Sequence, residues 1–319
     1  MYRRILVPLD GSLLAEEAVP VAADLARRSG AALELVLVHV SMAAALTAAP
    51  MAVDFQELDR LQLEDEAAYL RRMTERVRDR HGLAVDTHHL TGPIVDSLAA
   101  HIRDAKVDLV VITTHGRGAV GRMWLGSVAD GLVRTATAPV LMVRSTDDPG
   151  ARRGAFRRVL VPLDQSDAAH EAVPAARKLV EDDGECLLMT VIDPNPLMNV
   201  APVPFGLIPE LVVNGGMKEK AQLYLDRIAR AIRRTGVRAR AAVRVAANPA
   251  VEILDEAAHE RVDAIVVTAH GVGGMRRFLL GSVVDKLVRG ADVPVLVCRP
   301  SPARRTVPAR RPMRVHQGT

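Results

Sequence analysis

Apolar positions fall into two alternating rhythms along this chain. Short runs that favour β-branched and apolar residues occupy 4–9, 33–40, 84–90, 108–113 and 139–144. Such runs predict strands buried on both faces. Between them the spacing lengthens to that of a helix. Leu63, Ala67, Leu70, Thr74 and Val77 recur at intervals of four and three, as do Ala221, Leu225, Ile228 and Ile232 further on. A β-α-β-α order predicts a parallel sheet with right-handed crossovers and helices on both faces. Pro20 and Pro174 interrupt the first helical pattern of each half, so a kink or a late helix start is expected there.

The pattern also repeats as a whole. RRILVPLDGS at 3–12 returns as RRVLVPLDQS at 157–166, and EAVP at 17–20 returns at 171–174. The segment beginning THGRG at Thr114 returns beginning AHGVG at Ala269, and APVLMVR ending at Arg144 returns as VPVLVCR ending at Arg299. This steady register indicates duplication of a complete domain. The expected organisation is domain one at 1–146, a linker at 147–156, domain two at 157–300 and a basic tail at 301–319. Each domain is expected to be an α/β doubly wound unit.

Composition narrows the class. With 49% hydrophobic, 25% charged and 3% aromatic residues, the chain can build aliphatic cores but has few platforms for stacking single-stranded nucleic acid. The formal charge of +4 rests on Arg304, Arg305, Arg310, Arg311 and Arg314 in the tail. Without these five the remainder is slightly acidic, so no specific nucleic-acid face is expected. Cys186 and Cys298 lie in apolar runs without a pairing pattern, which argues for a reducing compartment. No apolar run is long enough to span a membrane, and a cytoplasmic location is the expectation.

Ligands of open parallel sheets bind at the carboxyl ends of the strands. The first strand of each half ends in Pro8, Leu9 and Asp10 or Pro162, Leu163 and Asp164. Each aspartate can accept from a ribose hydroxyl or help hold Mg²⁺ beside phosphates, or can cap the next helix. The fourth strand leads into a glycine-rich loop and a helix: Thr113, His115, Gly116 and Arg117, then Gly126 and Ser127; in the second half Thr268, His270 and Gly271, then Gly281 and Ser282. Glycines admit phosphate close to the backbone, and helix N-termini favour anions. Ser127 and Ser282 stand where a hydroxyl either caps the helix or bonds a phosphate. Arg117 adds a cation in half one.

These motifs, ILVPLD, the Gly-x9-Gly-Ser loops and the closing PVLMVR and PVLVCR, resemble those of universal stress proteins across residues 1–300. The resemblance implies a five-stranded sheet ordered 3-2-1-4-5, binding of ATP, with Mg²⁺ an option, and pairing of domains through the last strands. It implies an adenine and ribose end at Pro8, Leu9, Asp10 and Val40, or Pro162, Leu163, Asp164 and Val191. Phosphates would lie against Gly116, Gly126, Ser127 and Val128, or Gly271, Gly281, Ser282 and Val283. One departure stands out: Thr113 and Thr268 replace the first glycine of the family's Gly-x-x-Gly-x9-Gly-Ser/Thr pattern.

The expected role is a nucleotide-dependent regulatory module without efficient catalysis, acting on an unidentified protein partner. An interaction module that has lost the nucleotide, or a slow ATP hydrolase, are the alternatives, and further homodimerisation is open. No SGGxDS, HxGH, G-x-S-x-G, CxxC or HExxH signature is present. His88 and His89 are neighbours on a strand, face opposite sides and cannot chelate one ion together. His39 reads as a strand-end residue. Residues 41–56 and 193–214 read as long apolar loops.

Overall fold

The computed structural model describes residues 1–41, 55–114, 126–145, 154–194, 216–269 and 281–299. In half one the described elements are β1 (Arg4–Leu9), α1 (Leu13–Glu16), α2 (Ala18–Ser29), β2 (Ala32–His39), α3 (Phe55–His81), β3 (Val85–Thr91), α4 (Ile94–Asp104), β4 (Leu109–Thr114), α5 (Ser127–Thr135) and β5 (Val140–Arg144). In half two they are β6 (Arg158–Pro162), a 3₁₀ turn at Ala169–Glu171, α6 (Ala172–Leu179), β7 (Glu185–Ile192), α7 (Lys218–Arg233), β8 (Arg238–Val245), α8 (Pro249–His259), β9 (Ala264–Thr268), α9 (Ser282–Gly290) and β10 (Val295–Cys298).

Both halves show the expected strand order, and they share one ten-stranded sheet: β3-β2-β1-β4-β5-β10-β9-β6-β7-β8. Within each half the strands run parallel, but β5 meets β10 antiparallel, with Leu141 opposite Leu296 and Val140 opposite Val297. The last strands thus remove each other's open edges, which would otherwise present unpaired amides and carbonyls. Two arginines tie the seam reciprocally. The Arg144 guanidinium donates to the Arg289 carbonyl in the last turn of α9, and Arg299 Nη1 donates to the Ala136 carbonyl, just past α5, at 3.2 Å. Both cations meet helix C-termini, where unpaired carbonyls and the helix dipole favour positive charge.

Alternation along each strand divides the core into two layers. Ile5 and Val7 pack with Leu25 of α2 and Met73 of α3, a layer that continues through Val159, Leu179 and Leu225 in half two. Leu6 and Val36 face the other way, onto Leu98 and Ile102 of α4 and Leu132 of α5, and that layer continues through Leu160, Ile253 and Leu287. The central strands are therefore largely apolar on both faces, which is why the sequence shows continuous runs there; β3, at the edge of the sheet, is exposed or half-buried along its length, so burial on both faces fails for 84–90.

Of the two outcomes expected at the prolines, a late helix start is the one observed. α2 begins at Ala18 and α6 at Ala172, placing Pro20 and Pro174 in the first turn. Their missing N–H would have had no intrahelical partner at that position. Both cysteines are buried, and burial pushes each thiol up to about 12, so neither is a ready nucleophile. Among the described residues no helix is long and apolar enough to cross a membrane.

Candidate functional site

A cavity of about 560 Å³ opens at the carboxyl ends of the half-one strands. β1 supplies Pro8 and Leu9, with Asp10 immediately after it; β2 leads to Val40; β4 supplies Thr113; and the start of α5 supplies Gly126, Ser127 and Val128. Eight expected residues separated by up to 120 positions therefore line one space. The volume lies within the range of small-molecule pockets, roughly 300–1,000 Å³.

Local geometry decides between the roles left open for these groups. Asp10 does not cap α1. Its Oδ1 accepts from the Ser12 amide at 2.9 Å, and Ser12 is the cap, its hydroxyl accepting from the Ala15 amide at 3.1 Å. Gly11 makes this turn possible, with φ +80°. Asp10 remains exposed at the cavity's rim. Nor does Ser127 cap α5: Gly126 occupies the N-cap and brings no side-chain cap, and Ser127 is exposed on the first helical residue. The Thr113 hydroxyl is buried and has no partner among the described residues.

Half two repeats the frame. Pro162 ends β6, the Leu163 amide donates to the Met189 carbonyl at 2.7 Å, and the Thr190 hydroxyl donates to the Leu163 carbonyl at 2.8 Å. Asp164 Oδ1 accepts from the Ser166 amide at 3.0 Å and hydroxyl at 2.6 Å, while Ser166 accepts from the Ala169 amide at 3.1 Å. Val191 lies within β7 opposite Arg244, the register that Val38 holds opposite Leu90 in half one. Gly281 is the N-cap of α9, Ser282 and Val283 open that helix, and Thr268 closes β9 with its hydroxyl buried and unpartnered among the described residues. His115, Gly116, Arg117, His270 and Gly271 lie outside the described residues, as do most of the two apolar loops.

Sequence reasoning missed Gln62 and Glu66, which reach the cavity from α3. They lie 52 and 56 residues beyond Asp10 in the chain, so no local spacing could place them beside it. His88 and His89 do face opposite sides, but each joins a partner set of its own. His89 Nε2 lies 2.6 Å from Glu66 Oε2, which also meets His39 Nδ1 at 3.0 Å. On the other face Glu34, fully buried, meets His101 Nε2 at 2.9 Å, His88 Nε2 at 3.9 Å and Arg4 Nη1 at 2.6 Å. Only a pairing of strands with distant helices creates these sets.

Comparison with known proteins agrees with this architecture. The universal stress protein family model matches residues 1–144 and again 155–299. A universal stress protein of Mycolicibacterium smegmatis is 28% identical over 311 residues, covering 93% of this chain and 97% of that protein. Universal stress protein Rv2005c of Mycobacterium tuberculosis is 29% identical over 303 residues, covering 93% and 97%. The crystal structure of a universal stress protein from Archaeoglobus fulgidus superposes with a TM-score of 0.69 over 93% of this chain and 98% of its own, at 19% identity, a likeness of fold. With two matched domains spanning nearly all its length, the chain belongs to the universal stress protein family.

Proposed function

We propose that half one binds ATP in the cavity at the end of β1 and uses it as a regulatory ligand, without efficient catalysis. The observation that carries this reading is convergence: an acid at the end of β1, a helix N-terminus with glycine at its cap and a hydroxyl without a partner among the described residues all border one cavity. The donors fit a nucleotide. Pro8, Leu9 and Val40 offer apolar walls for a base, and Asp10 would accept from ribose hydroxyls or share a Mg²⁺. The first-turn amides of α5 and the Ser127 hydroxyl would meet phosphate oxygens. The role assigned to the nucleotide is occupancy rather than turnover. Because β5 and β10 join the halves into one sheet, a ligand that prefers one arrangement of half one shifts the surface offered to a protein partner.

The test uses the full chain. Protein purified without added nucleotide is denatured and the released small molecules are identified by mass spectrometry, and ATP is titrated calorimetrically. Gly126 has φ −57° and ψ 146°, which valine also adopts, so Gly126→Val keeps the fold while adding bulk at the helix start. The expected result is released or titratable ATP, with at least tenfold weaker binding in Gly126→Val. No nucleotide released and no binding on titration overturns the proposal and leaves an interaction module.

A further inference from the structure

The duplicated domain supplies its own control at the outer edge of the half-one sheet. His39 closes β2, His89 lies in β3, and Glu66 on α3 covers the same face. His39 Nδ1, Glu66 Oε2 and His89 Nε2 all lie within 4.8 Å of one another. His39 is only 2% exposed, and the other two are half-buried. The second oxygen of Glu66 accepts from Gln62 Nε2 at 2.8 Å, which orients the carboxylate. Strand register places Ile192 and Val243 at the half-two positions of His39 and His89, since Leu37 pairs with His89 as Thr190 pairs with Val243. The fold therefore requires neither imidazole.

We propose that His39, Glu66 and His89 form a binding site for a transition-metal dication of the Zn²⁺ class, bordering the cavity. Two imidazoles and one carboxylate make a donor set that suits Zn²⁺, whereas Mg²⁺ and Ca²⁺ take oxygen ligands. The present separations of 3.0 and 2.6 Å are hydrogen-bond distances. With metal–donor bonds of about 2.0–2.2 Å, a tetrahedral ion sets donors roughly 3.3 Å apart, so each imidazole nitrogen needs to draw away from Glu66 Oε2 by less than about 1 Å. Each imidazole presents its lone pair when its proton sits on the other ring nitrogen or leaves to solvent. Three protein ligands leave one position open, and Glu66 and Gln62 already line the cavity. The set on the opposite face is a poorer candidate, because Arg4 holds one oxygen of Glu34 at 2.6 Å and its fixed positive charge opposes a dication.

This assignment does not depend on nucleotide binding, and its test uses metal alone. The full chain is stripped with a chelator and dialysed against Zn²⁺ without nucleotide at about pH 7.5. Bound metal is measured by mass spectrometry for the parent chain, Glu66→Gln, His89→Ala and His88→Ala. Thermal unfolding without metal checks each fold, and His89→Gln replaces His89→Ala if the latter unfolds. The parent and His88→Ala are expected to hold one more ion per chain than Glu66→Gln and the His89 variant, whose affinity at this site falls at least tenfold. Co²⁺ should give the parent a visible absorption band that the His89 variant lacks. Equal Zn²⁺ uptake by all four proteins, no uptake by the parent, or loss confined to His88→Ala overturns the site.

Discussion

In half one, Asp108 accepts from the backbone amides of Arg3 and Arg4 at 2.9 and 3.2 Å; in half two, Asp263 accepts from those of Arg157 and Arg158, both at 2.7 Å. This clamp joins the start of the first strand of each half to the residue just before its fourth strand, and duplication has preserved it. The outer edges have diverged. Glu34 sits among Arg4 and two histidines, whereas Leu187 takes its register in half two, and the acid there is Glu185, two residues earlier in its strand. Glu185 meets Arg240 at 2.8 Å and Arg158 at 3.3 Å, and Arg240 continues to Glu260 at 2.7 Å. The contrast separates two kinds of polar residue. Groups that satisfy main-chain amides are tied to the fold, while side chains that pair mainly with one another are free to be rebuilt for a ligand or as an ion-pair network.

The seam sets the upper limit of independence between the halves, and breaking it should have the largest effect. Leu141 and Leu296 are fully buried and face each other across β5 and β10. Leu141→Ala and Leu296→Ala should each cost about 2–5 kcal/mol in urea unfolding. Because the two touch the same seam, the double variant should depart from additivity by roughly 0.5 kcal/mol or more. A cost below about 1 kcal/mol, or strict additivity, would mean that the two halves hold together without this contact.

A smaller effect distinguishes the two strand-end acids. Asp10→Ala should weaken ATP binding roughly tenfold, about 1.4 kcal/mol, while Asp164→Ala leaves the dominant affinity in place. Calorimetric titration of both variants checks this. The reverse pattern would move the nucleotide to half two.

Legibility in the sequence followed the range of the interactions. Strand runs and the strand-to-helix glycines depend on neighbours in sequence, so all five strands of half one and the places of Gly126 and Gly281 before α5 and α9 were readable. The repeat made the second half readable from the first. The capping roles of Asp10 and Ser127 were ambiguous, because Asp and Ser both suit an N-cap and only backbone geometry shows that Ser12 and Gly126 hold those positions. Glu34, Glu66 and His101 gave no signal. A single polar residue in an apolar strand or on a helix face acquires meaning only when tertiary packing supplies its partner, here 23 to 67 residues away.

The finest difference between the halves is one backbone position. After Asp10 the turn passes through Gly11 at φ +80°, and after Asp164 it passes through Gln165 at φ +67°. Both turns serve the same end, aiming the following serine at its aspartate and at the next helical turn. A side chain in the left-handed region brings Cβ toward the following carbonyl, at roughly 1–2 kcal/mol, and glycine avoids this cost. Glycine also adds freedom to the unfolded chain, which offsets about 0.5–1 kcal/mol of that gain. Gln165→Gly should therefore stabilise the protein by up to about 1 kcal/mol, and Gly11→Gln should destabilise it by a similar amount, both read from urea midpoints at constant slope. If Gly11→Gln proves neutral while ATP affinity holds, the turn tolerates a side chain on both sides of the duplication, and the glycine beside Asp10 has no part in shaping the cavity.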